Sequence, residues 1–236
     1  MLLVEVVRAL VAGDLLEHRP EGLAPRGDAS LVDMLGNRPL ATLIGARVEA
    51  LLAAFEADAG VAEGILARAA LLGAFFEDAT LRACVAADRT LAKAVDAVLD
   101  RALLHGIVRA EGGSLFSFDH QLVQETLMMR LEASPARVRV YFDVANALLA
   151  RHGKDRPDVA AAVADLLRRA GAKDRAWDRL LHAIESSAWS GDRSTAQTYL
   201  ATALHWLEED EEPAGSRPRA TVALAEARVR YYAIDY

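Results

Sequence analysis

One change of hydrophobic period constrains this chain more than any other feature. Almost everywhere the apolar residues recur at three- and four-residue spacing, the mark of helices. In "GIVRAEGGSLFSF", residues 106–118, that spacing gives way to the one hairpin signal in the sequence. There two short runs flank Gly112-Gly113, a pair that tolerates positive φ, and together they read as a β-hairpin. The fold must therefore be mainly α, with one hairpin set among helices.

Upstream of the hairpin, periodicity predicts helices over 40–55, 61–72, 77–85 and 91–104. Ile65, Leu66, Ala69 and Leu72 share one face of the second, and Leu91, Val95, Val98 and Leu99 stripe the fourth. Residues 1–16 read as an amphipathic helix, with Leu2, Val6 and Leu10 at helical spacing. Glu5 and Arg8 interrupt its apolar run and no small-residue cleavage site follows, so it does not read as a signal peptide. Residues 17–39, punctuated by prolines and glycines, carry no helical period and read as loose chain. Helices followed by a two-stranded wing are the order of a winged helix.

Downstream of Pro135 the pattern predicts helices near 136–151, 157–170, 174–189, 193–209 and 218–233, with loops at Gly171 and Gly191-Asp192. Paired helices of this length suggest a tetratricopeptide-like α-solenoid, although the consensus is weakly met. In such a solenoid each face is buried by its neighbour, so the last helix, carrying Val222, Leu224, Ala225, Val229 and Tyr232, is expected to leave an exposed apolar edge. "EEDEEP" at 208–213 sets acids against the negative end of a helix dipole and reads as a fraying end and solvated linker. The expected organisation is a helix and linker over 1–39, a winged-helix domain over 40–133 and a helical arm over 134–236. Neither terminus carries a capping signal, which is how a chain cut from a longer protein would look.

Composition narrows the functional classes. More than half of the residues are apolar, enough for a sizeable core, and the formal net charge of −7 argues against a nucleic-acid surface. A single cysteine, Cys84, excludes an internal disulfide and a cysteine-based metal site, and fits a reducing cytoplasm. No stretch reads as a membrane span. There is no phosphate-cradling G-x-x-x-x-G-K-[ST] loop, no G-x-S-x-G elbow and no H-E-x-x-H, and no two histidines stand at metal-ligand spacing. No complete active site can be assembled, so the chain is not expected to be an enzyme.

The position that raises a functional question lies in "SFDHQLVQETLMMRL", residues 117–131. Asp119 is expected to cap the helix by accepting an N–H near Leu122. His120 then falls on the core-facing stripe with Val123, Leu127 and Leu131. Two roles are open to it. It can be a core histidine bonded to a backbone carbonyl. Or it can donate to an anion drawn to the positive helix end, where the Asp119 cap would compete for the same N–H groups.

Phe118-x-His120-x-Leu122-x-x-Glu125 resembles the F-x-H-x-L-x-x-E motif of bacterial signal-transduction ATPases with numerous domains, which are often fused to serine/threonine kinase, nucleotide cyclase or transcription-activator modules. Residues 46–76 are similar to that family's first two winged-helix helices, 98–118 to its third helix and wing, 140–152 to the next helix, and 157–236 to its helical arm. "LLVEVVRALVAGDLLE" resembles the helix just beyond the nucleotide-binding core. Met128 stands where the family usually has tyrosine, and Tyr141 where histidine is common.

The resemblance implies a regulatory segment without its Walker motifs, which lie upstream in the family. It further implies ATP or ADP as the ligand of an upstream nucleotide-binding domain, a protein partner on the arm, and His120 as a sensor of the ADP β-phosphate. A different reading, a free-standing winged-helix DNA-binding regulator, meets an obstacle in "LAKAVDAVLDRALLHG". There Lys93 and Arg101 are balanced by Asp96 and Asp100, whereas groove readers present several cations and amides.

The absent phosphate loop gives a direct expectation. The purified chain should bind neither ATP nor ADP, and titration calorimetry showing micromolar binding to the chain alone would refute it.

Overall fold

The computed structural model describes residues 16–19, 22–25, 40–211 and 216–231. Over these the protein is mainly α, with ten α-helices and two small antiparallel sheets. The chain divides into two compact units after Ala136.

The first unit opens with β1 (Leu16–Arg19) and β2 (Gly22–Pro25), paired antiparallel with Leu16 opposite Pro25 and Arg19 opposite Gly22. Over 17–19 and 22–25 this corrects the expectation of loose chain; the rest of 17–39 lies outside the described residues. Strands of four residues are too short to show a period, and Pro25 is tolerated because it ends its strand. The expected first helix, save for Leu16, lies outside the described residues.

Helices α1 (Leu40–Ala53), α2 (Ala59–Leu72), α3 (Asp78–Val85) and α4 (Arg89–Leu104) follow. Asp88 caps α4, its carboxylate accepting from the N–H groups of Thr90 and Leu91. The hairpin is β4 (Val108–Gly112) and β5 (Leu115–Phe118). Its turn is Gly113-Ser114, one residue later than the glycine pair suggests, because the register shifts between Ala110 and Gly112. That shift is a bulge, which Gly112 accommodates with φ +106°.

A third strand, β3 (Phe75–Glu77), adds to the other edge of β5, giving the order β3-β5-β4. It displaces the expected start of α3 from Glu77 to Asp78. Phe76 lies opposite Phe116 and stacks on it with ring centres 5.7 Å apart.

Helix α5 (Gln121–Ala133) closes the unit, burying Val123, Leu127 and Leu131 and packing on α1 and α2. Arg130 fastens it, pairing with Glu63 of α2 at 2.6 Å and with Glu49 of α1. The core beneath joins Ile44, Val48 and Leu51 of α1, Ile65 and Leu66 of α2, and Val95 and Val98 of α4.

The second unit is a run of helices, α6 (Arg137–His152), α7 (Pro157–Arg169), α8 (Lys173–Trp189), α9 (Arg193–Glu209) and α10 (Arg217–Tyr231), each packed on the next. Glycines in left-handed geometry, Gly171 at φ +80° and Gly191 at φ +81°, turn the chain between them. Trp177 meets the edge of Trp206 at 5.4 Å, and the Arg168 guanidinium lies over Trp206 at 4.6 Å.

Two expectations for the arm are corrected. Glu209 and Asp210 do not fray. Asp210 accepts from Arg168 and from Lys173, each at 2.7 Å, and Glu209 from Arg168 at 2.9 Å. Burial works to raise the Asp210 carboxyl, yet those bonds hold it below its ordinary value. The acids are stable at the helix end because cations from α7 and α8 converge there. On α10, Val222, Ala225 and Val229 are buried, because α10 packs on both α8 and α9. Leu224 alone of the expected edge is exposed, and Tyr232 lies outside the described residues.

One glycine carries a specific requirement. Gly106, at φ +61°, follows α4, and a Cβ there would run into Arg47 Nη2. The left-handed backbone costs a non-glycine residue about 1–2 kcal/mol, and displacing a buried guanidinium from its partners adds about 3 kcal/mol or more. Gly106→Ala should therefore lose much more stability in urea than Gly171→Ala, where no atom lies within 4 Å of the added carbon. Equal losses would contradict this packing.

Candidate functional site

The candidate site is the junction between β5 and α5, where the sheet edge becomes a helix within two residues. Phe118 ends the strand with its ring in the core, 5.5 Å from that of Phe76. Its N–H donates to Ala74 O at 3.0 Å, and the Asp119 N–H donates to Ile107 O at the same distance. The chain therefore enters α5 from a fixed direction.

Asp119 is not the helix cap, and the sequence-based expectation is corrected here. Its carboxylate is buried, with 1% of the side chain exposed, and turns inward to Arg47 Nη2 at 3.4 Å and Arg109 Nε at 2.5 Å. Arg47 comes from α1 and is equally buried. It also donates Nε to His105 O at 2.9 Å and Nη2 to Gly106 O. Arg109 comes from β4, and its Nη2 donates to the Asp119 carbonyl at 2.8 Å. A carboxylate held between two guanidiniums is not released to a helix terminus, since leaving a buried cation unpaired costs more than a cap contributes.

His120 takes the capping position. Its backbone is extended, φ −148° and ψ 143°, and its Nδ1 accepts from the Leu122 N–H at 3.1 Å. The Val123 N–H donates to His120 O at 2.9 Å. His120 is half-buried and stands one residue ahead of the helix, rather than on the stripe of Val123, Leu127 and Leu131. It is thus not a core histidine bonded to a carbonyl.

The cap fixes its chemistry. An Nδ1 that accepts a hydrogen bond carries no proton, so the neutral ring carries its proton on Nε2. Among the described residues nothing hydrogen-bonds Nε2. With the Leu122 and Val123 N–H groups already taken by His120, the Gln121 N–H and the imidazole Nε2–H are the donors left at this end.

The remaining motif residues divide. Leu122 packs partly buried against the core cluster that contains Phe118. Glu125 is exposed and accepts from Gln121 at 2.7 Å, so it is not drawn into the Asp119 clamp. Reading the sequence misses Arg47 and Arg109 as members of this site. Arg47 did leave a signal: a cation inside the apolar stripe of Ile44, Val48 and Leu51. Arg109 left none.

On the surface expected of a DNA reader several cations are engaged, while Arg89 and Lys93 are exposed and pair with no described residue. Arg82 binds Asp78 and Asp96, Arg101 donates to Ala54 O and covers the Phe55 ring at 5.1 Å, and Arg109 is held on Asp119. A cavity of about 310 Å³ at the start of α4, lined by Asp58, Arg89, Thr90 and Lys93 among others, sits beside N–H groups that Asp88 already satisfies. Among the described residues no group of three or more metal-ligating side chains gathers, and no helix is long and apolar enough to cross a membrane.

The cap makes a testable distinction. His120→Ala should destabilise the chain by about 0.5–2 kcal/mol, whereas His120→Asn, whose side chain also caps, should lose only a few tenths. Thermal melts in which the two variants lose the same stability would contradict a capping role.

Compared with known proteins, the chain matches no family model, no curated protein and no solved structure.

Proposed function

We propose that this chain is the regulatory coupling segment of a nucleotide-switched signalling ATPase of the kind its F-x-H-x-L-x-x-E motif resembles. In this reading the helices and three-stranded sheet of the first unit form a winged helix. The helices of the second form a tetratricopeptide-like arm. An upstream domain of the longer protein binds ATP or ADP. The chain itself performs no catalysis; it relays nucleotide state to a protein partner on the arm, in the cytoplasm, with no membrane or nucleic-acid partner.

The observation that carries the reading is His120. Its Nδ1 is committed to the helix cap and its Nε2 bears a proton that no described residue accepts. A neutral imidazole held in one tautomer is a directed donor, suited to a phosphate oxygen supplied by another domain. The alternative, a free-standing DNA-binding regulator, would have Arg89 and Lys93 as its unengaged cations, since Arg82, Arg101 and Arg109 are held in ion pairs and helix packing.

The test uses the longer protein. His120→Asn keeps the cap and removes the Nε2–H. A hydrogen bond to a charged group contributes about 1.5–3 kcal/mol, so ADP retention should weaken on the order of tenfold or more while the melting temperature of the apo protein holds. Unchanged ADP affinity in that variant would overturn the sensor reading.

A further inference from the structure

The residue before His120 is held by all three of its polar groups. The Asp119 N–H donates to Ile107 O at 3.0 Å. Its carboxylate meets Arg109 Nε at 2.5 Å and Arg47 Nη2 at 3.4 Å, and its carbonyl accepts from Arg109 Nη2 at 2.8 Å. Arg109 grips both the carboxylate and the carbonyl, spanning them with the planar fork of one guanidinium.

The carbonyl is the decisive contact. It belongs to the planar peptide unit whose nitrogen is that of His120. Fixing that plane leaves the imidazole only the rotations about its own N–Cα and side-chain bonds, and the Nδ1 cap on Leu122 then selects among those. The geometry points to Arg109 as the positioning residue of the His120 imidazole: from the hairpin, it sets the direction in which the Nε2–H points. Arg109 stands opposite Ser117 in the strand register and its side chain is 56% exposed, so it acts from the solvent side of the junction while Arg47 holds the buried side. The hairpin thereby has a mechanical link to the candidate phosphate donor. This inference rests on the reading of His120 as the group that meets a phosphate, but its test contains no nucleotide.

The experiment is a long-range proton–nitrogen correlation spectrum of the chain labelled with nitrogen-15 in its histidines. The His120 signals are assigned by their loss in His120→Asn. The wild type should show the fixed pattern of the Nε2–H tautomer. In Arg109→Leu that pattern should give way to the averaged signal of an imidazole exchanging between tautomers. Arg109→Lys should restore it in part, since an ammonium lacks the fork that spans carboxylate and carbonyl together. Arg82→Leu, which removes exposed ion pairs to Asp78 and Asp96, should leave His120 unmoved.

A fixed Nε2–H pattern in Arg109→Leu would overturn the inference. Were that variant not to fold, an unaltered pattern in Arg109→Lys would do the same. Mobility of His120 in Arg109→Leu together with unchanged ADP retention in His120→Asn would uphold the positioning role and remove the phosphate reading alone.

Discussion

A guanidinium placed in an apolar core must have its donors met, and the first unit is arranged around meeting those of Arg47. The side chain leaves α1 inside an apolar stripe, with Ile44, Val48 and Leu51 as its neighbours on the helix. Carbonyls at the end of α4 and the carboxylate of Asp119 receive it. Three elements far apart in sequence are thus tied at one buried charge. The requirement explains why the residue after His105 is glycine, and why Asp119 faces inward rather than along α5. It also explains how a histidine comes to cap a helix that has an aspartate immediately before it. Removing one partner of such a pair typically costs about 3–5 kcal/mol, more than any single cap contributes.

Much of this was legible where the sequence carries a long period. Helices α2 and α4 and the arm helices lie close to where spacing puts them, and the hairpin announced itself by its glycines. What escaped was short or non-local. The strands β1, β2 and β3 span three or four residues, too few for alternation to register. The fate of Asp119 depended on Arg47 and Arg109, and no local rule connects residues 72 positions apart. Glu209 and Asp210 were misread for the same reason: the dipole argument was sound locally, but Arg168 and Lys173 arrive from other helices.

The motif that suggested a function is divided by the structure into different physical jobs. Phe118 and Leu122 belong to the core, Asp119 to the clamp and Glu125 to the exposed helix surface, while His120 has one nitrogen committed to the cap and one donor left over. That residual donor is the reason for proposing a coupling role. In that proposal the clamp serves as the mounting of the histidine, and the hairpin and α1 hold the mounting from opposite sides.

The account stands or falls on the Arg47–Asp119 interaction. A double-mutant cycle on the chain, with Arg47→Met, Asp119→Asn and the double variant compared by urea denaturation, measures it directly. The predicted coupling energy is about 2–3 kcal/mol, with the double variant much less destabilised than the sum of the singles, because each single change strands a buried polar partner. Single-variant losses that add to within about 0.5 kcal/mol would show that the two residues act independently and would contradict the account.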